Sequence, residues 1–290
     1  MTDFGWDSIR KYRFEVAALV LISSFYLIGA GVPFYRGDQI NSARLINGLI
    51  VILATTIAAF FLSAYFKVLR ELATIDPQKE KPGGRLLLGI TWLVIAVLFF
   101  ILGRNSDGGF HELIFVLALM FVFFYSVTPF HMARSKYKVL VEAAFVSLVV
   151  PTYGFAAQTS DGLKQFAWII LPLFLLFLAS YLALSMRTYS TMPSRDITNP
   201  VNALGWKTAM SLHNYLILVA FVLIAISRVI GLSWSLVWPR LLVLPIGVLE
   251  IVEMLRIAEG APVRWTYMNS LAITLTGFSV YFLLFTLWLG

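Results

Sequence analysis

Three observations predict an all-α integral membrane protein of nine transmembrane helices, with its N-terminus cytoplasmic and its C-terminus outside. The first is composition: 60% of the 290 residues are hydrophobic and only 13% charged, with a mean hydropathy of +0.85, a balance foreign to a soluble domain of this size. The second is a set of nine apolar stretches, each long enough to satisfy its backbone as a helix across about 30 Å of hydrocarbon, which takes roughly 20 residues. The third is the placement of Lys and Arg, which resist translocation: nine spans put 16 of them on the N-terminal side of the membrane and 6 on the other.

The first span, near 13–34, follows Arg10, Lys11 and Arg13; it is too long for a cleaved leader and lacks a small-residue cleavage site. The second, near 45–66, leads into a basic loop with Lys67, Arg70, Lys79, Lys81 and Arg85, and the third, near 86–103, is short. Spans four to six fall near 111–129, 139–158 and 166–185, and spans seven to nine near 209–231, 235–255 and 268–289. Gly31-Val32-Pro33, Asp76-Pro77, Pro82-Gly83-Gly84, Pro129 and Pro193 mark the boundaries, where proline and glycine stop helices most readily. The chain reads as a single transmembrane domain over 1–290, because no polar segment is long enough for a soluble one.

The net charge of +7 fits this topology and an anionic lipid surface, without nucleic acid as a partner. With no cysteine, there is no disulfide framework, thiolate nucleophile or thiolate metal site. Polar residues inside the spans are few. Glu142 lies four residues after Lys138, the spacing of an ordinary helical ion pair, and Glu250 and Glu253 can pair with Arg256 or Arg240. His213 beside Asn214 reads as an internal hydrogen-bonded pair.

Four stretches carry a likeness to a known family. Phe124-Tyr-Ser-Val-Thr-Pro-Phe-His-Met-Ala-Arg134 is similar to Tyr-Ser-x-Pro-Pro-x-Arg-Leu-Lys, with Glu142 in the place of a Gly-Glu pair. Val150-Pro-Thr-Tyr-Gly-Phe-Ala-Ala-Gln-Thr-Ser160 is similar to Gly-Thr-Tyr-Tyr-x-Gln-Thr-Gly. Asp76-Pro77, then Pro82, Arg85, Leu87 and Gly89, resemble an Asp-x-Pro followed by Pro-x-Arg-x-Leu-x-x-Gly, and aligning Gly205 with a final Leu-Gly puts Arg187 on a motif arginine. In order and spacing these resemble the UbiA-type intramembrane prenyltransferases, the menaquinone branch most of all. The resemblance implies a nine-helix bundle around a central, lipid-open cavity. It also implies two Asp-rich cytoplasmic loops, here 67–85 and 187–208, that hold magnesium on a prenyl diphosphate.

The sequence departs from that pattern at the metal. Where the family has Asn-Asp-x-x-Asp it reads Ala64, Tyr65, Phe66 and Lys67, with Glu71 and Asp76 as the nearest carboxylates. The second motif becomes Arg187-Thr188-Tyr-Ser-Thr-Met192 and leaves Asp196 alone in its loop. Magnesium needs carboxylates beside substrate phosphates, and Glu71 and Asp76, five apart, face about 140° away from each other on a helix. Basic side chains replace acidic ones. Tyr65, Lys67, Arg70, Arg85 and Arg187 are therefore candidate contacts for an anionic head group, since arginine forks match phosphate oxygens; the same cations also suit plain interfacial anchors. Tyr153 and Gln158 are candidates for the cavity wall.

Two functions stay open. In one the protein has lost magnesium-dependent transfer and binds an isoprenoid, quinone or pigment-like lipid as a subunit of a larger membrane complex. In the other it is an active divergent prenyltransferase that uses magnesium, with Asp76 and Asp196 on the diphosphate. The expected location is a bacterial cytoplasmic membrane.

Overall fold

Long runs of Leu, Val, Ile and Phe, interrupted only by turn residues, give a chain whose described residues form helices and no strands. The structure is a computed structural model that describes residues 4–75, 83–104, 109–127, 130–191 and 199–290. Four helices come first: α1 (Phe4–Tyr35), α2 (Ser42–Ile75), α3 (Gly83–Gly103) and α4 (Gly109–Ser126). Then α5 (Lys138–Ala144) and α6 (Val150–Ala156) join through a π-helical turn, Phe145–Val149. The remainder is α7 (Leu163–Thr191), α8 (Pro200–Leu204), α9 (Trp206–Val229), α10 (Trp234–Leu241), α11 (Leu244–Ala258) and α12 (Trp265–Leu289).

Among the described residues eight helical stretches are long and apolar enough to cross a membrane, the α5–α6 stretch counting as one. The expected eighth span, 235–255, is the exception. It is split into α10 and α11, and neither half meets the length of a full crossing. Proline accounts for the break. Pro239 lies inside α10 and Pro245 in the first turn of α11; each lacks an N–H and crowds the carbonyl four residues back, so the ladder between them gives way. The chain crosses the gap on tight turns, with Val243 N–H donating to Arg240 O at 3.4 Å.

Another proline shapes the π turn. Pro151 begins α6 and cannot donate to Ser147, so the turn before it widens. Its backbone lies against α1, where a Cβ on Gly29 would collide with Pro151 O and one on Gly154 with Tyr26 O. Two glycines thus allow α1 and α6 to touch backbone to backbone, the kind of crossing that small residues make in membranes. Trp288 of α12 donates its indole N–H to Leu27 O of α1 at 3.1 Å. Ser126 of α4 donates to Ala59 O of α2, also at 3.1 Å. At the periphery α3 packs on α2, fully burying only Gly89 and Ala96 and half-burying Leu86 and Leu93, and leaves Leu87, Ile90, Val94, Leu98 and Leu102 exposed on its outer face.

Candidate functional site

The inner faces of α1, α2, α4, α5, α7 and α12 enclose a cavity of about 650 Å³, inside the range of small-molecule sites, about 300–1,000 Å³. Its walls are mostly apolar, with Leu21, Ile22, Phe121, Phe145, Phe177 and Leu184 among them. Phe121 and Phe145 stack nearly parallel, 3.8 Å between ring centres, and make one flat wall. Ala17, Ala18, Phe60, Ile273 and Gly277 line the cavity and are themselves exposed, so its mouth opens between α1, α2 and α12. That mouth follows from where α1 and α12 meet. Gly31 lets α1 approach Trp288 toward the C-terminal ends of both helices, while Ala17, Ala18 and Gly277 bring no bulk to fill the gap near their middles.

One carboxylate enters this apolar space. Glu142, on the last turn of α5 just before the π turn, lines the cavity and is held by two phenols from other helices. Tyr125 of α4 donates to Oε1 at 2.5 Å, and Tyr181 of α7 donates to Oε2. Lys138 Nζ stands 4.0 Å from Oε1. The expected Lys138–Glu142 ion pair is present, but it is the outer edge of a buried-facing cluster and not an isolated surface pair. The signal for it was an acidic residue inside an apolar span; its partners, 17 and 39 residues away in sequence, carried none.

The candidate head-group residues gather at one end of the bundle, and the two cavity-wall candidates lie at the other. Lys67 and Arg70 near the end of α2, Arg85 at the start of α3 and Arg187 near the end of α7 are exposed at one end. Tyr65, half-buried on α2, meets Phe66 edge-on at 5.2 Å. Asp76 and Asp196 lie outside the described residues. At the same end His131 takes a left-handed conformation, φ 33°. Burial, then the positive charges of Arg134 and Arg70, holds its imidazole below the usual value.

Tyr153 and Gln158 belong to the opposite end. Gln158 accepts from the Asn41 backbone N–H at 3.0 Å, just before α2, and Tyr153 is buried with its ring 4.7 Å from His111 of α4. Neither is among the residues lining the cavity. Tyr153 follows Val146, the last residue of that stretch on the cavity wall, by seven residues, about 10 Å of rise at 1.5 Å per residue.

Two further polar clusters contain the expected Glu253–Arg256 and His213–Asn214 pairs and differ from expectation at Glu250. Glu250 pairs with neither Arg256 nor Arg240. It meets His213 Nε2 at 3.0 Å with both side chains fully buried, while His213 Nδ1 faces Asn214 Oδ1 at 3.0 Å. Glu253 accepts from Arg256 and Arg264, with closest distances of 2.6 Å to each. Buried Arg240 instead donates to Ile169 O of α7 at 3.0 Å.

Magnesium does not fit the donor set that stands in the described part of the first motif. Ala64, Tyr65, Phe66 and Lys67 offer no carboxylate, and Arg187 and Thr188 offer none in the second. Among the described residues no three His, Asp or Glu side chains converge as a metal site. No protein-family model matches the chain, and no curated protein matches it.

Proposed function

We propose that this membrane protein is a UbiA-like scaffold that no longer performs magnesium-dependent prenyl transfer and instead binds an isoprenoid, quinone or pigment-like lipid in the cavity beside Glu142. In this reading α10 and α11 together make the eighth of nine crossings, the N-terminus and the basic loops face the cytoplasm of a bacterial cell, and the C-terminus lies outside. The observation that carries it is the cavity itself: about 650 Å³, walled by Phe, Leu and Ile, with one anchored polar cluster and an exposed mouth among apolar helix faces. A long apolar chain can lie between α1, α2 and α12 while a polar head reaches Glu142, the usual division of a ligand site into apolar walls and a few orienting groups.

Loss of transfer is supported by charge. Ionising a prenyl diphosphate depends on cations clamping the leaving group where charge develops, and the positions expected to hold those cations carry Ala64, Tyr65, Phe66 and Lys67. Lys67, Arg70, Arg85 and Arg187 at the same end suit an anionic lipid head group.

The test has two arms. Lipids extracted from the gently purified protein should include one isoprenoid, quinone or pigment at near-equimolar amount, and a Gly277→Trp variant that fills the mouth should lose it. Purified protein given magnesium, a prenyl diphosphate and an aromatic acceptor should form no product. Turnover that EDTA abolishes would overturn the proposal in favour of an active transferase, with Asp76 and Asp196 as the carboxylates to mutate.

A further inference from the structure

The hydrogen-bond directions around Glu142 restrict which head group the cavity accepts. We infer that the site selects a lipid whose head donates hydrogen bonds, a quinol or other hydroxylated ring, over one whose head only accepts them, such as the corresponding quinone. The inference rests on the cavity being a lipid site and adds what that lipid must carry.

An ionised carboxylate is acceptor-only, with about four lone-pair positions on its two oxygens. Glu142 is used in that way here: both of its oxygens accept from phenols, and Lys138 Nζ stands 4.0 Å from Oε1. Tyr125 fills one position on Oε1 and Tyr181 one on Oε2. The other lone pairs stay available on a side chain that lines the cavity. Each phenol has given its only hydrogen to Glu142, so its oxygen is left as an acceptor too.

Other hydroxyls of the wall follow the same rule. Thr56 donates to Ile52 O at 2.8 Å and Ser63 to Phe60 O at 3.0 Å, while Thr276 donates to Ser180 Oγ at 2.8 Å. Ser180 alone among these keeps a hydrogen it can offer, and it is buried. The polar lining is therefore rich in acceptors and nearly without donors. A quinone carbonyl placed at Glu142 would meet a negative oxygen with nothing between them; a quinol hydroxyl would form a charge-assisted bond.

The experiment is an anaerobic titration, by calorimetry, of the full chain in nanodiscs with 2-decyl-1,4-benzoquinol, its quinone, and the 1,4-dimethoxy ether of the quinol. The three share a tail and a ring. Hydrogen bonds to charged groups predict that the quinol binds about tenfold or more tightly than either of the others. Glu142→Gln, which presents an NH₂ donor, should bring the quinol and quinone within about threefold, whereas Tyr125→Phe, which frees a lone pair on Oε1, should keep or widen the preference. Equal binding of quinol, quinone and ether by the wild type overturns the inference and leaves the lipid site standing. Binding of none of the three overturns both. The ether comparison needs no variant, so a Glu142→Gln protein that fails to fold does not remove the test.

Discussion

Replacing His213 with leucine should be among the most damaging single changes in the protein, and the size of the loss can be reasoned from the contacts. His213 and Glu250 are both 0% exposed, Nε2 lies 3.0 Å from Oε1, and Glu250 Oε2 has no hydrogen-bond partner. Among the described residues His213 is thus the only neighbour that hydrogen-bonds the Glu250 carboxyl. Asn214 Oδ1 is an acceptor facing Nδ1, which puts a hydrogen on Nδ1. Without the imidazole, a carboxyl stays buried with nothing to bond. That costs about 1–3 kcal/mol for a neutral group and about 3–5 kcal/mol for one that remains ionised. The double variant His213→Leu/Glu250→Leu removes both polar groups and should recover most of the loss, as apolar replacements of buried pairs often do. The assay is helicity by circular dichroism during SDS titration in mixed micelles, for the wild type, the two single variants and the double. Coupling energy within about 0.5 kcal/mol of zero would refute the account of a mutually dependent pair.

Two further changes test the packing. Gly154→Leu puts a side chain against Tyr26 O and Ala30 N, backbone atoms that cannot rotate aside; it should cost more than the usual overpacking penalty of about 1–3 kcal/mol in the same titration, and near-wild-type stability would mean that α1 and α6 do not cross as described. Glu253→Ala releases Arg256 and Arg264 from a shared carboxylate, so trypsin should cut after Arg264 severalfold faster than in the wild type; an unchanged cleavage rate would show that this carboxylate does not fasten the turn between α11 and α12.

The helical, membrane-embedded character was legible because it follows from composition and run length, which need no knowledge of contacts. The His213–Asn214 bond was legible as well, being local. The break between α10 and α11 was written in Pro239 and Pro245, but a hydropathy window averages across two prolines flanked by Leu, Val and Ile. Glu142 was seen only beside its helical neighbour Lys138. Tyr125 and Tyr181 reach it from two other helices, and no sequence period reports which helices become neighbours. Tyr153 and Gln158 were grouped with the cavity by motif likeness alone, and the hydrogen bond from Asn41 to Gln158 joins segments 117 residues apart that no motif links.

The crossing of α1 and α6 also sets an order of events during synthesis. Gly29 emerges about 125 residues before Gly154, and at about 5–20 residues per second the ribosome needs roughly 6–25 s to make the stretch between them. For that interval the glycine notch of α1 faces acyl chains or the insertion machinery and not its partner. The bundle is therefore assembled around a helix that waits, and a substitution at Gly29 would leave insertion of α1 untouched while blocking the later step in which α6 docks.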